Sequence, residues 1–423
     1  MTPQAAPGTG LRRAVATLLA GGVLAQALPL LLGPWLTRLY SPEQFGHYHL
    51  FLAVAANISV VACARYEFAL PMATDDLQAQ ALRSLCHRLL AGTVALTALA
   101  AVAWAWWLGA VWPLWLPVAV AALGGLSLAS LNATRAQRFR RLAGARVLQH
   151  GGGALLQTLA GLLHTGLAGL IIGPIAAALA AWALIGATWQ RGVPALAGAW
   201  REAARRHRHF PLLNTPHAFL GALQDTLAVA LVAASLGPAA AGAWGLALRY
   251  LKAPATLVGS ALSQVLYPHL AALAALPARP ALGGPTGVTP AGRALVLRSM
   301  GLLALCAAPL VLLLWLVGPA LFAWAFGPDW ADAGALARAL ALYIGLHFVA
   351  SPLGVVTLAW NAQAWALKLA LVGQAVFVLA LAGGLAWGGL QAAGWAVSLA
   401  MALYFGFYFW RLAHWPLATG VTP

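Results

Sequence analysis

The chain has 423 residues, of which 62% are hydrophobic and 8% are charged, and its mean hydropathy is +0.83. Soluble proteins carry about 25% charged residues, so this composition excludes a soluble globular domain and predicts a polytopic integral membrane protein. The net charge is +16. In a membrane protein such an excess is typical of basic cytoplasmic loops, so nucleic acid is not an expected partner.

Apolar windows of about 20 residues, separated by short breaks, predict twelve transmembrane helices. The predicted spans are 13–37, 46–72, 85–109, 113–132, 147–166, 168–189, 211–236, 239–268, 294–317, 332–358, 366–387 and 389–410. We expect an all-α membrane protein with two pseudo-symmetric six-helix lobes around a central cavity, which is the usual plan of a transporter. The predicted lobes are residues 1–189 and 211–423, and a basic cytoplasmic linker, 190–210, joins them.

The distribution of charge predicts the orientation of the chain. Nineteen of the 24 basic residues lie before the first span or after an even-numbered span, among them the cluster from Arg135 to Arg146 after the fourth. The opposite loops are short and carry Glu43, Asp329 and Asp332 instead. By the positive-inside rule, this alternation predicts that both termini are cytoplasmic.

The other five cations are not explained by the orientation of the chain. They are Arg38, Arg65, Arg249, Lys252 and Arg338. Arg249 and Lys252 are three residues apart in the eighth span and would share one helix face, and Asp225 reaches a similar depth in the seventh. Arg65 lies within the predicted second span, with Glu67 two residues on. A charge inside a bilayer costs about 2.5–3.5 kcal/mol on insertion scales, so we expect each one to face a cavity or a partner.

Motifs for most enzyme classes are absent from the sequence. There is no P-loop, no zinc-protease motif and no serine-hydrolase motif, and the sequence predicts no cofactor and no catalytic residue. Cys63, Cys86 and Cys306 have no C-x-x-C spacing, so we expect packing residues rather than a disulfide or a metal site. The outer loops are too short to form a catalytic domain. A membrane glycosyltransferase or polymerase is therefore the weaker alternative.

Two segments in the first lobe resemble a known family. They are Leu36-Thr-Arg-Leu-Tyr-Ser-Pro-Glu-Gln-Phe-Gly46 and Arg65-Tyr-Glu-Phe-Ala-Leu-Pro71. Both resemble the polysaccharide biosynthesis (oligosaccharide flippase) family of the multidrug/oligosaccharidyl-lipid/polysaccharide exporter superfamily. In the second half, Phe210-Pro-Leu-Leu-Asn-Thr-Pro216 and Leu248-Arg-Tyr-Leu-Lys-Ala-Pro254 are also similar to it.

The resemblance implies a flippase of the bacterial inner membrane. Its substrate would be an undecaprenyl-pyrophosphate-linked oligosaccharide used for O-antigen or exopolysaccharide synthesis. Membrane lipid and polysaccharide polymerase or assembly proteins would be its partners. A pyrophosphate is a dense anion, and Arg or Lys in a cavity of low dielectric attracts it strongly.

We therefore predict residues for substrate binding and for charge pairing. The predicted substrate-binding residues are Arg38 at the cavity mouth, Arg65, Tyr66, Arg249, Tyr250 and Lys252. The two tyrosines would either stack on sugar rings or pack in the core or against lipid. Glu67 and Asp225 would be either counter-charges or ion-coupling sites.

Two rival transporters remain open at this point. A multidrug cation antiporter of the same superfamily would need acidic residues in its cavity, whereas the intramembrane balance here is cationic. A peptidoglycan-precursor flippase resembles this family but usually has additional spans.

Overall fold

The computed structural model describes residues 7–186, 198–274 and 288–417. Their backbone is helical apart from short connections and one isolated bridge between Val288 and Leu417. Helices suit an apolar chain in lipid because all of their backbone hydrogen bonds lie within one segment. Much of the predicted linker (190–197) and residues 275–287 lie outside the described residues, as do the side chains of Arg12 and Arg13.

Within the described ranges we number thirteen α-helices. They are α1 (Pro7–Leu39), α2 (Pro42–Val61), α3 (Asp76–Leu108), α4 (Leu116–Arg135), α5 (Phe139–Val147), α6 (Gly153–Leu162), α7 (Leu167–Gly186), α8 (Ala199–Arg206), α9 (Thr215–Leu236), α10 (Pro238–Ala274), α11 (Pro290–Phe326), α12 (Ala331–Ala359) and α13 (Gln363–Ala413).

The predicted all-α membrane fold is confirmed, and within the described residues each of the twelve predicted spans is mostly helical. By length and composition, eight helices of the described chain can cross a membrane, or nine if the bent pair that begins with α2 is one span. The last two predicted spans are the two arms of α13. They meet at Gly388 and Gly389, whose backbone angles are not helical, as the break in the sequence predicts.

The second predicted span is not a continuous helix, which corrects the sequence interpretation. Its start is well specified, because the Ser41 and Gln44 side chains cap each other's backbone N–H groups. The helix ends at Val61, however, and Ala64 and Arg65 adopt positive φ angles of 47° and 61°. A 3₁₀ helix, Tyr66–Met72, then continues at an angle of 52° to α2. Arg65 therefore lies on a left-handed turn between two helical segments.

Two further differences concern the fifth span and the linker. The fifth span is preceded by α5, which passes through a π-helical segment, Leu148–Gly152, into α6. The predicted linker contains the short helix α8, whose outer face carries Arg201, Arg205 and Arg206.

The chain divides into two compact units, Met1–Ala230 and Leu231–Pro423, which we describe separately. The lobe limits at residues 189 and 211 stay a prediction. In the first unit, α6 and α7 pack closely at Gly169 and Gly173, whose four-residue spacing is typical of close helix contacts. A methyl group on Gly169 would lie 2.5 Å from Cβ of Ala160. In the second unit, Gly384-x-x-x-Gly388 also marks close packing, because a methyl group on Gly384 would overlap the backbone of Ala393 in the other arm of α13.

The most buried helix of the second unit is α12, which contacts α10, α11 and α13. Polar side chains of α13 bond to its backbone. The Ser398 hydroxyl donates to the Ala339 carbonyl at 2.6 Å, and the Tyr408 hydroxyl donates to the Leu353 carbonyl at 3.2 Å. These bonds satisfy buried hydroxyl groups and fix α13 against the centre of the unit.

Candidate functional site

Arg65 is held on a turn that local sequence preference does not favour. A left-handed conformation costs a non-glycine residue about 1–2 kcal/mol, so tertiary contacts must hold both Ala64 and Arg65 there. The Arg65 guanidinium carbon lies 4.2 Å from the centre of the Phe68 ring, which is a cation–π contact. Its Nε atom is buried and makes no hydrogen bond. The turn thus presents a half-buried cation that packs on an aromatic ring.

The neighbouring Tyr66 connects this turn to α8. Its ring is 7% exposed, and its hydroxyl donates to the Ala204 carbonyl at 3.2 Å. Ala203 joins the same apolar cluster. A hydrogen bond of 3.1 Å also joins Gln78 Nε2 to His207 Nε2 just beyond α8. In this structure Tyr66 takes the packing role, one of the two roles that its sequence position allows.

His207 lies outside the membrane-spanning helices. Burial lowers its pKa, and the positive charge of Arg206 lowers it further. Its neutral form is therefore favoured while α8 is docked.

Glu67 is 3% exposed and lies beside two cysteines. Its Oε2 atom makes no hydrogen bond. Neither Arg65 nor Glu67 takes part in an ion pair in the described part of the chain. Cys63 Sγ donates weakly to the Cys86 carbonyl at 3.6 Å, and the ligand atoms of Cys63, Glu67 and Cys86 lie within 4.8 Å of one another. Sequence reasoning missed this cluster because 23 residues separate the two cysteines.

Arg38 lies at the end of α1 and is exposed. One of its guanidinium nitrogens, Nη1, donates to the Pro34 carbonyl at 2.7 Å. The proposed place of Arg38 at a cavity mouth stays a prediction.

In the second unit, Arg249, Tyr250 and Lys252 lie on α10. The helix is uninterrupted here, so Arg249 and Lys252 share a face, as the three-residue spacing predicts. Both are half-buried, whereas every residue from Ala241 to Leu248 is buried. The Tyr250 ring packs against Phe326 of α11, with 4.5 Å between ring centres. Tyr250 therefore has an aromatic packing partner, and its contact with a sugar stays a prediction.

Asp225 is an exposed residue of α9 in the first unit. The next residue, Thr226, donates its hydroxyl to the Ala53 carbonyl at 3.1 Å and so joins α9 to α2. Pairing of Asp225 with Arg249, which belongs to the second unit, stays a prediction.

The first unit also contains a cavity of about 610 Å³ among α1, α4, α5 and the π-helical segment. Apolar side chains such as Leu123 and Leu126 share its lining with hydroxyl, amide and basic side chains, which include Ser127, Ser130, Thr134, Arg146, Gln149 and His150. No acidic side chain is among its described lining residues. This lining suits a neutral polar or anionic ligand better than a cation. Arg146 lies in this lining rather than in the loop that the sequence predicts, and no sequence pattern indicates the cavity because helices far apart in the chain form it. The π-helical segment beside it is of a kind that is frequent at functional sites.

The fold is that of membrane transporters in solved structures. An inward-facing multidrug resistance MATE family transporter of the MOP superfamily superposes with a TM-score of 0.63 at 13% identity, covering 93% of this chain and 98% of that one. The lipid II flippase MurJ in an inward closed conformation superposes with a TM-score of 0.65 at 10% identity, covering 94% of this chain and 89% of that one. A variant of the Vibrio cholerae MATE transporter VcmN superposes with a TM-score of 0.55 at 13% identity, covering 95% of each chain.

Sequence comparison then identifies the family. The profile of the family described as "Polysaccharide biosynthesis protein" matches residues 35–335, and the chain belongs to this family. No curated protein matches the sequence. Family membership and fold, together with helices that are long and apolar enough to cross a membrane, show a multi-pass membrane protein.

Proposed function

We propose that this protein is a flippase for polyprenyl-pyrophosphate-linked oligosaccharides in the bacterial inner membrane. It would carry each repeat unit from the inner to the outer leaflet during the synthesis of O-antigen or exopolysaccharide. The observation that carries the proposal is the family match over residues 35–335, which includes both Arg-Tyr segments. In each segment, a basic residue lies among apolar helices.

The charges suit an anionic cargo. Arg65, Arg249 and Lys252 are half-buried, and charges at such sites are screened less by water than surface charges are. Charge-assisted hydrogen bonds from Arg or Lys to phosphate are stronger than neutral ones. We assign these three residues to the pyrophosphate and Arg38 to the entrance, with alternating access carrying the bound group across the membrane.

Glu67 and Asp225 have one of two roles in this cycle. As counter-charges they would reduce the repulsion between cations while the site is empty. As ion-coupling groups they would take up a proton or a cation during each turnover. Glu67→Gln and Asp225→Asn separate these roles, because loss of coupling abolishes the response of transport to an imposed ion gradient, whereas loss of a counter-charge alters substrate affinity.

A multidrug exporter of the same superfamily is the second candidate, because a MATE transporter shares the fold. The cationic residues and the acid-free cavity of the first unit favour the anionic cargo over cationic drugs.

Deletion of the gene tests the proposal directly. We expect lipid-linked repeat units to accumulate in the inner leaflet, where a membrane-impermeant glycan probe added outside spheroplasts cannot reach them. The purified protein in liposomes should then expose a lipid-linked oligosaccharide to the same probe. Loss of the sugar linkage in the deletion strain would contradict the proposal and favour a glycosyltransferase. Normal outer-leaflet levels combined with drug sensitivity would favour the multidrug exporter.

A further inference from the structure

One cluster of the first unit combines two thiols with a carboxyl group in an apolar core. Cys63 follows α2, Glu67 lies in the 3₁₀ helix and Cys86 lies on α3, so three segments converge. The three residues are 2%, 3% and 0% exposed, respectively. Leu82, Leu85, Leu90 and Val120 are buried in the same apolar cluster. Water and other polar partners are therefore largely excluded from these side chains.

The carboxyl group of Glu67 lacks a hydrogen-bond partner for one of its oxygens. Its Oε2 atom is buried and makes no hydrogen bond. A buried polar group without a partner costs several kcal/mol, and an ionised carboxylate costs more. Two thiols are weak hydrogen-bonding groups and do not compensate for that cost. A cation bound at this point would do so.

The donor set identifies the class of cation. Thiolate sulfur and carboxylate oxygen are ligands of zinc, at distances of about 2.3 Å and 2.0–2.2 Å. The three ligand atoms lie within 4.8 Å of one another, so small side-chain rotations can bring all of them to one ion. Calcium and magnesium prefer sites built from oxygen, which two sulfurs do not provide.

We propose that Cys63, Glu67 and Cys86 bind one Zn²⁺ ion. Binding displaces the two thiol protons to solvent, and one water molecule that enters with the ion fills the fourth position of the tetrahedron. The ion would link the left-handed turn to α3 and so fix the backbone that carries Arg65. This proposal gives Glu67 the role of a zinc ligand in place of the counter-charge or ion-coupling role considered above, and it does not depend on the transported substrate.

Metal analysis of the full-length protein in detergent tests the proposal. After incubation with Zn²⁺ and desalting, we expect about one zinc per chain in the wild type. Cys63→Ser, Cys86→Ser and Glu67→Gln should each lower the affinity for zinc about tenfold or more. Cys306→Ser is the matched control, because Cys306 is an exposed cysteine of α11 and should leave the zinc content unchanged.

Two further measurements on the wild type keep the test independent of mutant folding. Co²⁺ should produce the charge-transfer absorption of cobalt–thiolate bonds, and added Zn²⁺ should displace it. Zn²⁺ should also raise the melting temperature of the wild type and of Cys306→Ser. The absence of bound zinc in the wild type, or an equal zinc content in Cys63→Ser/Cys86→Ser, would overturn the proposal. So would a disulfide between Cys63 and Cys86 found by thiol counting before and after reduction.

Discussion

The two Arg-Tyr pairs have the same sequence but different structural settings. Arg65 lies on a left-handed turn with a φ angle of 61°, between helical segments bent by 52°. Arg249 lies on the uninterrupted helix α10, three residues before Lys252. The first cation packs on Phe68, and the tyrosine beside the second packs on Phe326.

A charge within a membrane protein can thus be positioned either by regular helix geometry or by a strained turn that its surroundings hold in place. On α10, helix geometry alone puts two cations on one face, so the position is robust to local change. On the turn, an unfavourable backbone conformation persists only because the surroundings hold it. We expect the α10 pair to tolerate conservative substitution and the Arg65 turn to be sensitive to it.

The largest effect should come from removing both charges of α10. Arg249→Ala combined with Lys252→Ala should lower oligosaccharide export at least about 100-fold, because hydrogen bonds to charged groups contribute about 1.5–3 kcal/mol each. Complementation of the deletion strain measures export, and fractionation confirms membrane insertion. Lys368→Ala, which removes a lysine near the start of α13, is the matched control and should export normally. Wild-type export by the double variant would refute the assignment of the pair to the substrate.

A smaller effect should distinguish the two arginines when each is replaced by lysine. Arg65→Lys loses the planar stacking on Phe68, which contributes about 0.5–1 kcal/mol and predicts a two- to fivefold drop in transport. Arg249→Lys keeps the charge on an intact helix and should transport at nearly the wild-type rate.

Phe68→Leu completes a double-mutant cycle for the turn. If the contact matters, Phe68→Leu alone should lower transport as much as Arg65→Lys does, and the combined variant should lower it no further. Additive losses of transport in the combined variant would show that the two side chains act independently. A loss of transport in Arg249→Lys equal to that in Arg65→Lys would show that the turn is no more sensitive than α10.

Replacing alanine by glycine should stabilise the protein in one region and destabilise it in the other. Ala64→Gly relieves a positive φ angle of 47° and should stabilise the protein by up to about 1 kcal/mol. Ala247→Gly replaces a fully buried alanine within α10 and should destabilise it by at least about 1 kcal/mol. Unfolding midpoints in detergent measure both effects. A destabilised Ala64→Gly would show that the turn is not strained.

The smallest effect concerns pH and the docking of α8 beside the Arg65 turn. Because the pKa of His207 is lowered in the folded protein, the unfolded segment binds the proton more readily. Neutral His207 therefore contributes to the docking of α8 above the pKa of the imidazole in the unfolded segment, about 6.5. That contribution is lost as the pH falls towards the lower pKa of His207 in the folded protein. Hydrogen exchange of residues 199–206 should therefore increase between pH 7 and 5.5 relative to the His207→Gln variant at the same pH. Equal exchange in both proteins would contradict this.

Much of the architecture follows from the sequence by itself. In lipid, long apolar runs can satisfy their backbone hydrogen bonds only as helices, which explains why each of the twelve predicted spans is mostly helical within the described residues. The break at Gly388 and Gly389 and the close packing at Gly169 and Gly173 were also predictable, because glycine permits both. The cationic face of α10 followed from residue spacing alone.

Only the tertiary structure decided the setting of Arg65, the docking of α8 and the cluster of Cys63, Glu67 and Cys86. Nothing in the local sequence from Cys63 to Glu67 specifies a left-handed turn, because neither Ala64 nor Arg65 prefers that conformation. Hydropathy continues through the turn, so an apolar window interprets it as helix. The two cysteines meet because α3 packs against the turn. Sequence periodicity describes single helices, whereas the contact between the two cysteines depends on the packing of segments that lie far apart in the chain.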